Sequence, residues 1–143
     1  MSIKALFGLF LPCMNYHMAI SLILCYLTLS FIYSIVEKVA QWEKCKAFYK
    51  KHFKNSFLKN HVPASIVLVI LFELLSVGMN LTGLYSLFVT GNTNMALWAM
   101  LAVAATLTLL MTGQRIAQDY SGAMNITVYF ILTVMGIFML EIV

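Results

Sequence analysis

An all-α membrane protein is predicted: a four-transmembrane-helix bundle with a basic amphipathic surface helix between helices 1 and 2. Three observations predict it. The chain of 143 residues is 62% hydrophobic and only 10% charged, whereas a soluble domain carries about 25% charged residues. Its apolar residues form four continuous runs, each near the roughly 20 residues that one helix needs to cross the hydrocarbon. Strand barrels would show short alternating segments instead. Most of the lysines fall in one connection.

The four runs set the elements. The first covers about 16–36, the second about 63–89, the third about 95–112 and the fourth about 123–143, in a single integral membrane domain. Only Glu73 and Glu141 are charged within them. Small residues, Gly78, Gly83, Ala102, Ala105 and Gly136, provide places for close helix packing. The opening "MSIKALFGLFLP" has one early charge, Lys4, and Pro12 before Cys13, so it reads as an interfacial lead-in rather than a cleaved leader.

Between the first two runs lies the segment 37–61, with seven of the nine basic residues: Lys38, Lys44, Lys46, Lys50, Lys51, Lys54 and Lys59. Arg115, between the third and fourth runs, belongs to the same side and makes eight of nine. The positive-inside rule places that side in the cytoplasm and both termini outside, in a multi-pass membrane protein. Val39, Trp42, Tyr49, Phe53 and Phe57 share one helical face of this segment. Lys46 intrudes on the face, where its stem can snorkel. The pattern predicts a helix lying on anionic inner-leaflet lipid, or a docking platform for an acidic partner, with Lys50, Lys51 and Lys54 as contacts. Nucleic acid is not expected, because lipid would cover the aromatic face.

Glu73 is the sharpest polar signal. An acid at bilayer depth usually faces the bundle interior. Glu73, Ser76, Asn80 and Gly83 form one stripe, with Thr106, Thr112, Asn125 and Tyr129 as possible partners on other helices. The candidate polar pocket is Glu73, Ser76, Asn80, Asn125 and Tyr129. With no basic residue inside the four runs, Glu73 is expected as a neutral carboxyl, since burial without a cation favours that form. It would serve as a hydrogen bond between helices, as part of a functional pocket, or in a proton or ion pathway.

The corner "GQRIAQDYSG" places Arg115 and Asp119 four residues apart, the spacing of an ion pair on one helical turn. Arg115, Gln118 and Asp119 either stabilise the corner or hold a head group or partner loop. Cys13 and His17 share that spacing with only Asn15 as a further nearby ligand, so no metal is expected. Three cysteines make no disulfide framework, and Cys25 reads as an apolar filler. No catalytic constellation and no cofactor motif stands out.

Several stretches resemble the DoxX-like family of small bacterial four-helix membrane proteins. "FELLSVGMNLTGLYSL" is similar to that family's acid-then-glycine pattern in the second helix. "GQRIAQDYSGA" followed by "YFILTVMGIFML" resembles the junction of the third and fourth helices, and "FYKKHFKNSFLKNHVP" resembles the basic connection of a subset. The likeness covers about residues 37–140. The first helix departs from it, because "SLILCYLTLSFIYSIVEK" has no glycine. The resemblance implies a membrane accessory protein, in some members a subunit associated with quinone-linked oxidoreductases. The expectation is therefore a non-catalytic accessory subunit of a bacterial inner membrane, with a quinone-linked or other redox complex as the candidate associate and other membrane subunits or further copies of itself as partners. The alternatives are a small oligomeric permeation unit using the Glu/Asn stripe and a quinone- or lipid-handling enzyme.

Overall fold

The computed structural model describes residues 3–54 and 60–142, with side chains from His17 onward. Its elements are helices in the order α1 (Ile3–Ala40), α2 (Trp42–His52), α3 (Val62–Val89), α4 (Asn94–Ile116) and α5 (Tyr120–Ile142). Four of them, α1 over His17–Ala40 and all of α3, α4 and α5, are long and apolar enough to cross a membrane. The four-helix membrane bundle expected from the apolar runs is the observed architecture. Phe57 and Lys59, and the side chains of Lys4 and Cys13, lie outside the described residues.

The buried side of each spanning helix follows the helical period. On α1 it runs Ile20, Leu24, Leu27, Phe31 and then Lys38; on α3 it runs Val62, Ile66, Glu73, Ser76, Asn80, Gly83 and Leu87. Opposite faces carry large apolar residues, such as Leu22, Leu29, Phe88 and Phe138, that meet lipid instead of water. The central cluster joins α1 to Ala96, Ala99, Met100, Val103 and Leu107 of α4 and Leu140 of α5. The main packing surfaces are α3 on α4, α4 on α5 and α1 on α3, while α1 and α5 touch sparsely.

Two small residues make close approaches possible. A Cβ on Gly83 would come within 3.1 Å of the Ala96 Cα and 3.3 Å of the Ala99 Cβ, so α3 and α4 meet nearly backbone to backbone there. A Cβ on Gly136 would meet the Met100 side chain at 2.8 Å. Gly78 has open space and Ala105 is exposed, so neither contributes to packing within the chain.

The connections are short and built from local bonds. Gly91 takes φ +68 just after α3, a left-handed conformation that glycine adopts without strain. Asn92 then accepts the Asn94 N–H on its side-chain oxygen at 2.9 Å, a local turn just ahead of α4. At the next corner α4 stops at Ile116, Gln118 takes φ 59, and Asp119 accepts the Gly122 N–H at 2.9 Å.

The basic connection holds the principal departure from the sequence reading. The expected surface helix is α2, and its aromatic face does not lie on lipid. Trp42, Tyr49 and Phe53 pack with Val62, Ile66 and Ile70 of α3 and Ile116 of α4. The helix is tucked beside the first turns of α3, and the side chains of Lys44, Lys50, Lys51 and Lys54 point outward from that contact. Physically, α3 presents bare apolar side chains there because α1 has already ended at Ala40, and an aromatic stripe covers them.

Candidate functional site: a buried ion pair where cavities meet

The first helix runs four residues beyond the expected end at Val36, to Ala40, and carries Lys38 into the bundle. Lys38 is 8% exposed and Glu73 is fully buried. The Lys38 ammonium donates to Glu73 Oε1 at 2.8 Å and to Oε2 at 3.0 Å. Ser34, one turn before Lys38, donates its hydroxyl to Oε1 at 2.8 Å, and Lys38 Nζ also reaches the Ser34 Oγ. The expectation of a neutral, cation-free Glu73 is therefore corrected: the acid forms a hydrogen-bonded ion pair with a lysine assigned from sequence to the loop. By the rise of the helix, Glu73 lies about 16 Å along α3 from Val62. A charge pair at that depth is tolerable because each partner neutralises the other and spare hydrogen-bonding capacity is used by Ser34.

A signal for Lys38 exists in the sequence. The buried positions 20, 24, 27 and 31 of α1 extrapolate by steps of three and four to Ser34 and Lys38. An apolar-run criterion ends the helix at the first charges and misses this continuation.

The surrounding space is unusual for a structural pair. Lys38 and Tyr49 line three cavities at once. An apolar one of about 200 Å³ lies between the end of α2, the start of α3 and the end of α4. A second, of about 360 Å³, opens between α1 and α2 beside Lys44 and Cys45. The third, a partly open inner cavity of about 240 Å³ among α1, α3, α4 and α5, is lined by Ser30, Ser34, Glu73, Gln114 and Tyr129, among others. Burial pushes the Tyr49 phenol above its ordinary range, and the nearby Cys45, Glu73, Glu37 and Asp119 add to the rise. Burial likewise raises the Cys45 thiol, partly offset by Lys38.

The other residues of the expected pocket divide. Ser76 Oγ is 2.8 Å from Thr106 Oγ1, and Thr106 also donates to the Ala102 carbonyl at 3.0 Å, so this part of the stripe is an interhelical hydrogen bond. Asn80 is fully buried, and neither its amide nitrogen nor its oxygen has a hydrogen-bond partner among the described residues. Tyr129 lines the inner cavity with Glu73. Asn125 does not join it: this residue is exposed on α5, on an open groove with Tyr26 and Tyr129. Thr112 bonds back to the Thr108 carbonyl and takes no part.

The corner residues also separate. Arg115 and Asp119 do not form the expected pair, because α4 ends between them and the turn breaks the helical spacing. Arg115 instead lies over the Tyr120 ring, 5.5 Å from its centroid. Asp119 faces His52 of α2, with Nε2 to Oδ2 at 3.4 Å, which ties the end of α2 to the corner. Gln118 is exposed. Lys46 pairs with Glu43 at 2.9 Å on the surface, and Lys50, Lys51 and Lys54 are exposed. No group of three or more metal-ligating side chains occurs among the described residues.

No protein-family model, curated protein or solved structure matches the chain.

Proposed function

We propose that the chain is a non-catalytic accessory subunit of a bacterial inner-membrane complex, and that it holds a membrane-dissolved ligand at the Lys38–Glu73 centre. One observation carries this reading: the buried Lys38–Glu73 ion pair stands beside three cavities, all lined by Lys38, rather than in a closed, packed interface. Ionisable groups inside a membrane mark functional positions by default, because retaining them is costly. The resemblance to DoxX-like proteins adds a quinone-linked or other redox complex as the partner. The basic end faces the cytoplasm by its charge bias, where the outward lysines of α2 meet anionic lipid or an acidic partner surface.

The test is purification of the full chain from native membranes in mild detergent. A stoichiometric membrane partner with redox activity supports the reading. Purification of the chain alone, or as a homo-oligomer that conducts ions in liposomes, overturns it. That last outcome belongs to the second reading, an oligomeric permeation unit, which draws on the unpartnered amide of Asn80 seven residues beyond Glu73 on the same helix face.

A further inference from the structure

The inner cavity and the lipid-facing groove between α1 and α5 share a wall. Tyr129 lines both. The groove is open, about 920 Å³, and is bounded by Leu22, Tyr26, Asn125 and Tyr129 among others. Behind it, Ser30 and Ser34 lead to Glu73 and Lys38. Polar groups thus extend from the bundle surface to the ion pair: Asn125, then the stacked rings of Tyr26 and Tyr129 with centroids 6.0 Å apart, then the two serines. Asn125 places a polar side chain, exposed, at this groove. Among the neighbouring spanning pairs α3–α4, α4–α5, α1–α3 and α1–α5, the pair that flanks the groove packs least.

We propose that the α1–α5 groove is a lateral portal from the bilayer, and that the inner cavity receives the uncharged, hydroxyl-bearing head of a long-chain amphiphile. The charge balance selects the head. Lys38 and Glu73 already neutralise each other, so a carboxylate or an ammonium would bring an uncompensated charge into a low-dielectric cavity. A hydroxyl can donate to a carboxylate oxygen and accept from an ammonium, serine or tyrosine donor. The inner cavity, about 240 Å³, is small for a whole ligand, so the chain of the amphiphile lies in the groove. This inference rests on the ligand-holding part of the proposed function and is independent of any partner complex.

The experiment uses the full chain in phosphatidylcholine nanodiscs and four hexadecyl photo-probes carrying a diazirine: an alcohol, a carboxylate, an amine and a headless alkane. The alcohol is expected to label α1 and α5 peptides around Tyr26 and Tyr129 saturably and to be displaced by unlabelled hexadecanol. Tyr129→Phe and Ser34→Ala should each weaken its apparent affinity about two- to tenfold, the loss of one hydrogen bond. Leu22→Trp, on a lipid-facing position of the groove, should slow labelling without touching the ion pair, and it remains informative if Tyr129→Phe unfolds. Equal saturable labelling by the alkane, or preference for a charged probe, overturns the head-group assignment. Cross-links between copies through Asn125→Cys that exclude the alcohol make a second copy the occupant and overturn the portal. Failure of these arms with an intact co-purifying partner removes this inference alone; loss of the partner with labelling intact removes the accessory-subunit reading alone.

Discussion

Lys38 and Glu73 stand 35 residues apart in sequence, yet the lysine spans both oxygens of the carboxylate at 2.8 and 3.0 Å. The contact locks the end of α1 to the interior of α3, and Ser34 completes it. The same pair puts charge on the wall of the inner cavity.

Removing one partner of this pair should destabilise the fold strongly. Glu73→Gln or Glu73→Leu leaves a buried ammonium unpaired, and Lys38→Met leaves a buried carboxylate, each costing about 3–5 kcal/mol. The double variant Lys38→Met with Glu73→Leu should recover most of that loss. Unfolding of the wild type, Lys38→Met, Glu73→Leu and the double variant in the same micelle measures the coupling. Additive single and double effects would mean that the two side chains are not a unit.

The α3–α4 contact should be far more sensitive to bulk at Gly83 than at Gly78. A Cβ at Gly83 already crowds the Ala96 backbone at 3.1 Å, which cannot move aside like a flexible side chain. Gly83→Val should cost about 1–3 kcal/mol, the range for overpacking. Gly78→Val meets open space facing lipid and should cost much less. Similar melting temperatures for the two variants would contradict the near-backbone approach.

Alkaline pH should weaken the attachment of α2. Burial raises the Tyr49 phenol and the Cys45 thiol in the folded protein. A raised folded value means that the folded state holds its proton where the unfolded chain has released it. This contribution is complete below the ordinary values, about 8.5 for cysteine and about 10 for tyrosine. It is lost as pH rises through the folded values. Stability in detergent should therefore fall on the alkaline side, and Tyr49→Phe should flatten the fall. An unchanged alkaline slope in Tyr49→Phe would exclude Tyr49 as the source.

Topology can be read with single thiols. In a background where Cys13, Cys25 and Cys45 are replaced by Ser, Asn92→Cys sits in the exposed α3–α4 connection and Lys51→Cys on the exposed side of α2. An impermeant maleimide should label Asn92→Cys in intact spheroplasts and Lys51→Cys only after permeabilisation. The reverse pattern would invert the protein in the membrane.

Much of the architecture was legible in the sequence because lipid leaves few options. A spanning segment must satisfy its own backbone and present apolar side chains, so four apolar runs become four helices. The helical period similarly marked Glu73, Ser76, Asn80 and Gly83 as one inward stripe of α3. Ser76 found a partner named from sequence, Thr106.

What the tertiary structure decided concerns partners and helix ends. Lys38 reads as a loop cation until α1 is seen to continue to Ala40 and place it beside Glu73, a contact between residues that no local pattern relates. The aromatic stripe of Trp42, Tyr49 and Phe53 has the period of a lipid-facing helix, but a period records only that a face is apolar. It does not record whether bilayer or protein covers that face, and here α3 and α4 cover it. Asp119 pairs with His52 rather than Arg115 because a helix ends between two residues of helical spacing. In each case the sequence by itself determined which side chains seek burial or a counter-charge. Only the packed bundle decided which partner lay within reach, because distance between helices is set by the whole fold and not by separation along the chain.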